Sequence, residues 1–144
     1  MNRRRTICGV AAIEAAFSQA RAQRRCALIT YLTLGYPQAE SSRALVAALE
    51  RGGADLIELG IPYSDPVADG PVIQRSSYQA LAAGMTPRRA LAGVEELRSS
   101  GVAVPLVLMG YYNPILSYGP AGYVRDASTA GANGLIAPDL PLVE

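Results

Sequence analysis

The chain has 144 residues, 50% of them hydrophobic and 17% charged, the composition of one folded domain with a real core rather than a disordered segment. A formal net charge of +1 gives no electrostatic footprint for nucleic acid or a membrane surface. Histidine is absent and all 13 basic residues are arginine, which excludes a histidine-bearing zinc site, a Ser-His triad and a lysine Schiff base within these residues.

Arg3, Arg4 and Arg5 open the chain, but no apolar signal-peptide core follows, because Glu14, Ser18, Gln19 and Arg21 interrupt it. No apolar run reaches the roughly 18 residues of a membrane span, so a cytoplasmic protein is expected. Ile7, Val10, Ala11, Ile13, Phe17 and Ala20 recur at three- and four-residue spacing and predict an amphipathic helix over 7–24. Cys8 and Cys26 lack CxxC spacing and read as buried, reduced thiols, with a disulfide as the alternative. Ala27 to Leu34 is rich in aliphatic and β-branched residues and predicts a strand, stopped by Gly35-Tyr36-Pro37. Ser41 and Ser42 predict the cap of a helix that ends at Gly52-Gly53. A second strand follows over Leu56–Leu59, then a Pro/Gly-rich loop and a helix over about Val72–Ala83. Thr86-Pro87 predicts a capped helix to about Ser100. Strand three is expected over Val104–Met109, a helix over Gly122–Ala130, and strand four over Gly134–Ala137.

Three links into strands share one form, a glycine stop and a short turn, at Gly53, Gly101 and Gly131. Strands with little alternation between helices imply a parallel sheet covered by helices on both faces, either an open doubly wound sheet or part of a (β/α)8 barrel. The polar anomalies Thr33, Glu58, Tyr111-Tyr112-Asn113 and Asp139 all fall toward C-terminal strand ends, the catalytic side of a barrel. No G-x-G-x-x-G or P-loop follows any strand. An α/β fold of the (β/α)8 type is therefore expected. Residues 1–144 would form one unit, the N-terminal half of the barrel with its first four β/α units, since a full barrel takes about 250 residues.

Glu58 interrupts the apolar run Leu56-Ile57-Glu58-Leu59. By period two, Leu56 and Glu58 face the barrel interior while Ile57 and Leu59 face the helices. A carboxyl among apolar neighbours has its pKa raised toward neutrality, as a proton carrier requires; the alternative is a glutamate paired to an arginine on the rim. Asp65 and Asp69 lie in a loop stiffened by Pro62, Pro66 and Pro71. They are either held polar groups over the strand end or turn residues bonding their own backbone. Tyr31, Tyr111 and Tyr112 offer either aromatic wall with a hydroxyl or core with a polar tip. Asp139 either orients a neighbour or ends a strand, and Arg88-Arg89 reads as a solvated helix face.

The stretches LIELGIPYSDPVADGPVIQ, ITYLTLGYP, LMGYYNPI and IAPDLPLVE together resemble the tryptophan synthase alpha chain family, over about Ala27 to Glu144. The resemblance implies a (β/α)8 barrel that cleaves indole-3-glycerol phosphate to indole and glyceraldehyde 3-phosphate, a retro-aldol lyase reaction of tryptophan biosynthesis needing no cofactor and no metal. It implies that Glu58 is the general acid and base, and that Asp69 accepts the indole N–H and stabilises the charge developing on the ring. Tyr111 would line the substrate site, and Tyr31, Met109 and Ile136 its apolar wall. Asp65 would face a beta chain that carries pyridoxal phosphate, in an alpha2-beta2 tetramer with an indole tunnel. The family's phosphate loops follow strands seven and eight and its lid follows strand six, so no phosphate residue is assigned here. An incomplete chain, with weak or no turnover from these residues alone, is expected. Two other readings stand: a stand-alone lyase releasing indole, and a non-catalytic half barrel that binds a beta chain through the Pro62–Gly70 loop.

Overall fold

A computed structural model of the chain describes residues 9–141. Arg3 to Arg5, Cys8 and the predicted helix start at Ile7 lie outside the described residues, and Cys26, expected to be buried, is an exposed free thiol. Helix α1 spans Val10–Ala22, β1 Ile29–Thr33, α2 Ser41–Arg51, β2 Leu56–Gly60, α3 Pro71–Ala82 and α4 Pro87–Ser99. β3 follows over Leu106–Met109, α5 over Tyr112–Tyr118, α6 over Pro120–Ala130 and β4 over Gly134–Ile136. The four strands are all parallel and lie in the order β1-β2-β3-β4. A doubly wound sheet reverses its strand order at a switch point, whereas a barrel adds each strand beside the last. The order is that of a barrel.

The helices settle which face is which. Ile57, Leu59, Leu106 and Leu108 are each 0% exposed and pack against Val46 of α2, Val94 and Leu97 of α4 and Tyr123 of α6. The expectation of helices on both faces is corrected: these packed helices cover one face. A buried strand run reads the same whichever way its neighbours lie, so periodicity alone could not separate the two. On the inner face a Cβ at Gly134 would lie 3.4 Å from Ile13 Cδ1 and 3.5 Å from Val107 Cγ2, so α1 covers part of the inner face beside β3 and β4. Ile29 and Ile136, on the edge strands, remain 43% and 37% exposed.

The N-terminal ends of the strands are held by polar clasps. Asp55 accepts from Leu28 N at 2.8 Å and pairs with Arg25, whose Nη2 reaches Oδ1 at 2.7 Å. Glu50 Oε1 accepts from Ala103 N and Val104 N at 2.8 and 2.9 Å. The Arg98 guanidinium donates to the carbonyls of Gly131, Val102 and Val104 and to Asn133 Oδ1, which also accepts from Leu106 N. A Cβ at Gly131 would sit 2.7 Å from Arg98 Cγ, and its φ of 101° is left-handed, so glycine is required there on both counts.

Three local expectations change. Thr86 caps α4 as predicted, accepting from Arg89 N at 3.3 Å. Ser42 does not cap α2: its Oγ accepts from Gly35 N at 3.0 Å and ties the β1–α2 loop instead. Helix α5 falls where the sequence predicted no element; Asp139 Oδ1 caps it from beyond β4, accepting from Tyr112 N at 2.8 Å. Arg88 and Arg89 are not merely solvated, since Arg88 lies 4.8 Å over the Tyr118 ring and Arg89 Nη1 donates to Gly84 O at 2.8 Å.

Candidate active site

Strand register places the predicted site residues in two adjacent rows of one face. Tyr31 pairs with Glu58, Glu58 with Val107 and Val107 with Gly134. Two residues further along, Thr33 pairs with Gly60, Gly60 with Met109 and Met109 with Ile136. Side chains two apart on a strand share a face, so Tyr31, Glu58, Met109 and Ile136 line one surface at the C-terminal side of the sheet. Ile57 and Leu59 point into the helix-side core, as period two requires.

Glu58 was expected to be buried. It is half-buried instead, although Leu56 and Val107 on the same face are each 5% exposed. Among the described residues the ion pairs are Arg25–Asp55 and Arg125–Asp126, and Glu58 takes part in neither. Its carboxylate instead acts on the Tyr31 phenol, whose pKa is raised first by burial and further by the charges of Asp69 and Glu58.

The Asp69 loop is shaped from several sides. Gln74 Nε2 donates to Asp69 O at 2.8 Å, and Gly70 and Pro71 begin α3 in a backbone form suited to a helix start. Tyr111, 4% exposed, accepts from Ala68 N at 2.9 Å through its hydroxyl. Burial raises the Tyr111 pKa, the Ala68 N–H opposes that rise, and the Asp69 carboxylate adds to it. The phenol oxygens of Tyr31 and Tyr111 therefore sit in the field of the same carboxylate. Tyr63 supports this from outside: its ring lies 5.4 Å from the Tyr111 ring, and its hydroxyl accepts from Asn113 Nδ2 at 3.0 Å. Asp65 does not join the cluster. It is exposed and accepts from the adjacent Ser64 hydroxyl, next to Val67 at 82% exposure.

Gly60, Tyr63 and Ser76 belong to the site but carried no isolated signal. Gly60 makes room for Tyr31: a Cβ there would overlap the Tyr31 hydroxyl, with the ring carbon Cζ 2.6 Å away. Among the described residues no three metal-ligating side chains gather. A groove of about 610 Å³ opens elsewhere, between α2, α3 and α4, lined by Leu34, Ala80, Met85, Arg89 and Glu96; none of the carboxylate cluster borders it.

Sequential parallel strands, helices packed on the outer face and carboxylates toward the C-terminal strand ends define this chain as half of a (β/α)8 barrel, with those carboxylates on the side where such barrels carry their chemistry. The family model described as "Tryptophan synthase alpha chain" matches residues 17–144. The chain belongs to that family. It is 54% identical over 125 residues to the tryptophan synthase alpha chain of Roseiflexus castenholzii, covering 87% of this chain and 48% of that one. It is 49% identical over 125 residues to the tryptophan synthase of Saccharomyces cerevisiae, covering 87% of this chain and 18% of that protein. Among solved structures, tryptophan synthase subunit alpha from Legionella pneumophila superposes with a TM-score of 0.87 at 42% identity, over 90% of this chain and 50% of that one. Tryptophan synthase from M. tuberculosis in its aminoacrylate-bound form gives 0.86 at 44% identity, over 92% and 54%. The chain thus spans about half the length of the curated alpha chains it matches. Among the described residues no helix is long and apolar enough to cross a membrane.

Proposed function

We propose that this chain supplies the acid–base half of a tryptophan synthase alpha site, a carbon–carbon lyase that cleaves indole-3-glycerol phosphate to indole and glyceraldehyde 3-phosphate. The observation that carries the reading is the placement of Glu58 and Asp69 around one phenol, Tyr31, with Tyr111 beside Asp69, at the C-terminal side of the sheet.

In the proposed step Glu58 assists protonation of indole C3 and removes the proton of the glycerol hydroxyl next to it. The O–H electrons become the aldehyde C=O, the C–C bond to the ring breaks, and its electron pair returns to the indole. The ring carries positive charge while C3 is protonated. Asp69 accepts the ring N–H and offsets that charge, an electrostatic contribution that is largest where water is excluded. Tyr111 lines the ring, and Met109 and Ile136 form apolar wall beside it. No step needs an imine or a metal. The Asp65 loop, with Val67 projecting beside it, faces a beta chain in this reading.

Indole release is the test, measured on the natively expressed protein with and without a beta chain. Glu58→Gln abolishes release and leaves beta-chain binding intact. Release unchanged in Glu58→Gln overturns the role of Glu58, and full release without any beta chain favours a stand-alone lyase.

A further inference from the structure

Thr33 and Ser76 are hydroxyls only 5% and 7% exposed, and the proposed chemistry uses neither. Thr33 ends β1, and Ser76 lies midway along α3, the helix into which the Asp69 loop leads. Ser76 Oγ lies 2.8 Å from the Ile73 carbonyl, which can only accept, so the one serine proton points there. Thr33 Oγ1 lies 2.7 Å from Ser76 Oγ, so the threonine donates to the serine. Tyr31 Oη lies 3.4 Å from Thr33 Oγ1, and the phenol must then donate in its turn. With all three contacts formed, the chain runs one way, from Tyr31 through Thr33 and Ser76 to the Ile73 carbonyl.

The consequence falls on Tyr31. Its proton is turned toward β1 and α3, so the oxygen presents lone pairs to its remaining surroundings. Gly60 leaves the space in which that oxygen sits, beside Met109 in the register. The phenol is thus an acceptor held in place near the Asp69 and Glu58 carboxylates.

We propose that Tyr31 is a specificity-determining residue whose hydroxyl accepts a hydrogen bond from the bound aromatic ring, favouring a substrate that carries an O–H or N–H donor at that edge. Thr33 and Ser76 are its positioning residues. This rests on the indole site proposed above and adds to it the direction of one hydrogen bond.

The test uses calorimetric titration of the natively expressed protein with indole and with hydroxyindoles, each paired with the methylindole of the same substitution pattern. Indole binds, and the best hydroxyindole binds roughly three- to tenfold tighter than its methyl isostere, the span of one neutral hydrogen bond. Tyr31→Phe brings that ratio to about one while indole still binds, as loss of a single bond at this position requires. Thr33→Val and Ser76→Ala lower the ratio, and Thr33→Ser keeps it. Thr33→Val adds nothing in the Tyr31→Phe background, the coupling expected when one residue acts through the other. Ser76→Ala carries the same test if Thr33→Val does not fold. A ratio near one in the unaltered protein, or an undiminished Thr33→Val effect in the Tyr31→Phe background, overturns the inference and leaves the indole site standing. Failure of the unaltered protein to bind indole overturns the indole site and this inference with it.

Discussion

Tyr31 and Glu58 are direct partners in the parallel register of β1 and β2, so a phenol and a carboxylate stand side by side on the inner face of the sheet. Neighbouring strands lie about 4.8 Å apart, which puts the two groups within reach of one aromatic ring placed over the strand ends. Tyr31 extends across β2 toward Gly60, and Asp69 comes in from the following loop. A strand, its neighbour and a loop thereby converge on a single patch, although Tyr31 and Asp69 are far apart in sequence.

Glu58→Gln keeps the shape of the side chain and removes its proton chemistry. General acid–base catalysis contributes roughly 10²- to 10⁴-fold, so kcat for indole release falls by about that factor. Far-UV circular dichroism and the urea midpoint stay unchanged, because neither of the ion pairs found among the described residues involves Glu58. A variant that loses activity together with its fold would assign Glu58 to structure instead.

Gly60→Ala tests the close approach of β2 and Tyr31. The added methyl would overlap the Tyr31 hydroxyl and lie 2.6 Å from Cζ, so the ring must leave its position. Overpacking of this kind costs typically 1–3 kcal/mol, about the loss expected in urea unfolding. Tyr31→Ala introduced on top of Gly60→Ala relieves the clash, so the double variant unfolds at a higher urea concentration than the sum of the single effects predicts.

The parts of this fold that were legible in the sequence are those whose causes are local. Gly53, Gly101 and Gly131 take φ of 92°, 98° and 101°, and the strands follow each as the glycine stops indicate. Thr86-Pro87 carries its own cap within four residues. Glu58 was legible because a carboxylate in an apolar strand is chemically out of place. Helix α5 was not legible, since its cap comes from Asp139, 27 residues away. Ser42 misled for the opposite reason: its hydroxyl suits a helix cap, but Gly35 N takes it first. The Thr33–Ser76 contact spans 43 positions and exists only once α3 has folded over β1.

Asp55 predicts how stability responds to acid. Hydrogen bonds from Arg25 and Leu28 N, with the Arg25 charge, hold its carboxyl at about 2 in place of the ordinary 3.8. A depressed folded-state pKa gives stability that is fully present above the unfolded value and is lost as pH falls through the folded one. In urea unfolding at neutral pH, Asp55→Asn therefore lowers the midpoint relative to the unaltered protein. The gap narrows as pH falls from about 4 through about 2, and below that both proteins carry an uncharged side chain. A gap that holds constant across that range would show that the Asp55 charge does not set its role.

Asp139 links the end of β4 to the start of α5. Tyr112 N is among the orphan donors at the first turn of that helix, and the helix's own preceding residue, Tyr111, makes no side-chain cap. Removing an N-cap acceptor costs about 0.5–2 kcal/mol, with exposed sites such as this one near the lower end. Asp139→Ala therefore lowers the unfolding midpoint slightly and speeds hydrogen exchange at the Tyr112 amide, while Asp139→Asn, which keeps an oxygen acceptor, restores most of both. The effect also reaches the site. Tyr111 immediately precedes the uncapped turn, and its hydroxyl accepts from Ala68 N next to Asp69. In Asp139→Ala the Ala68 amide exchanges faster too, and KM for the substrate rises while the pH profile of kcat keeps its shape, because Glu58 on β2 is untouched. Unchanged exchange at Ala68 would show that Tyr111 is held by its own burial and not by the cap.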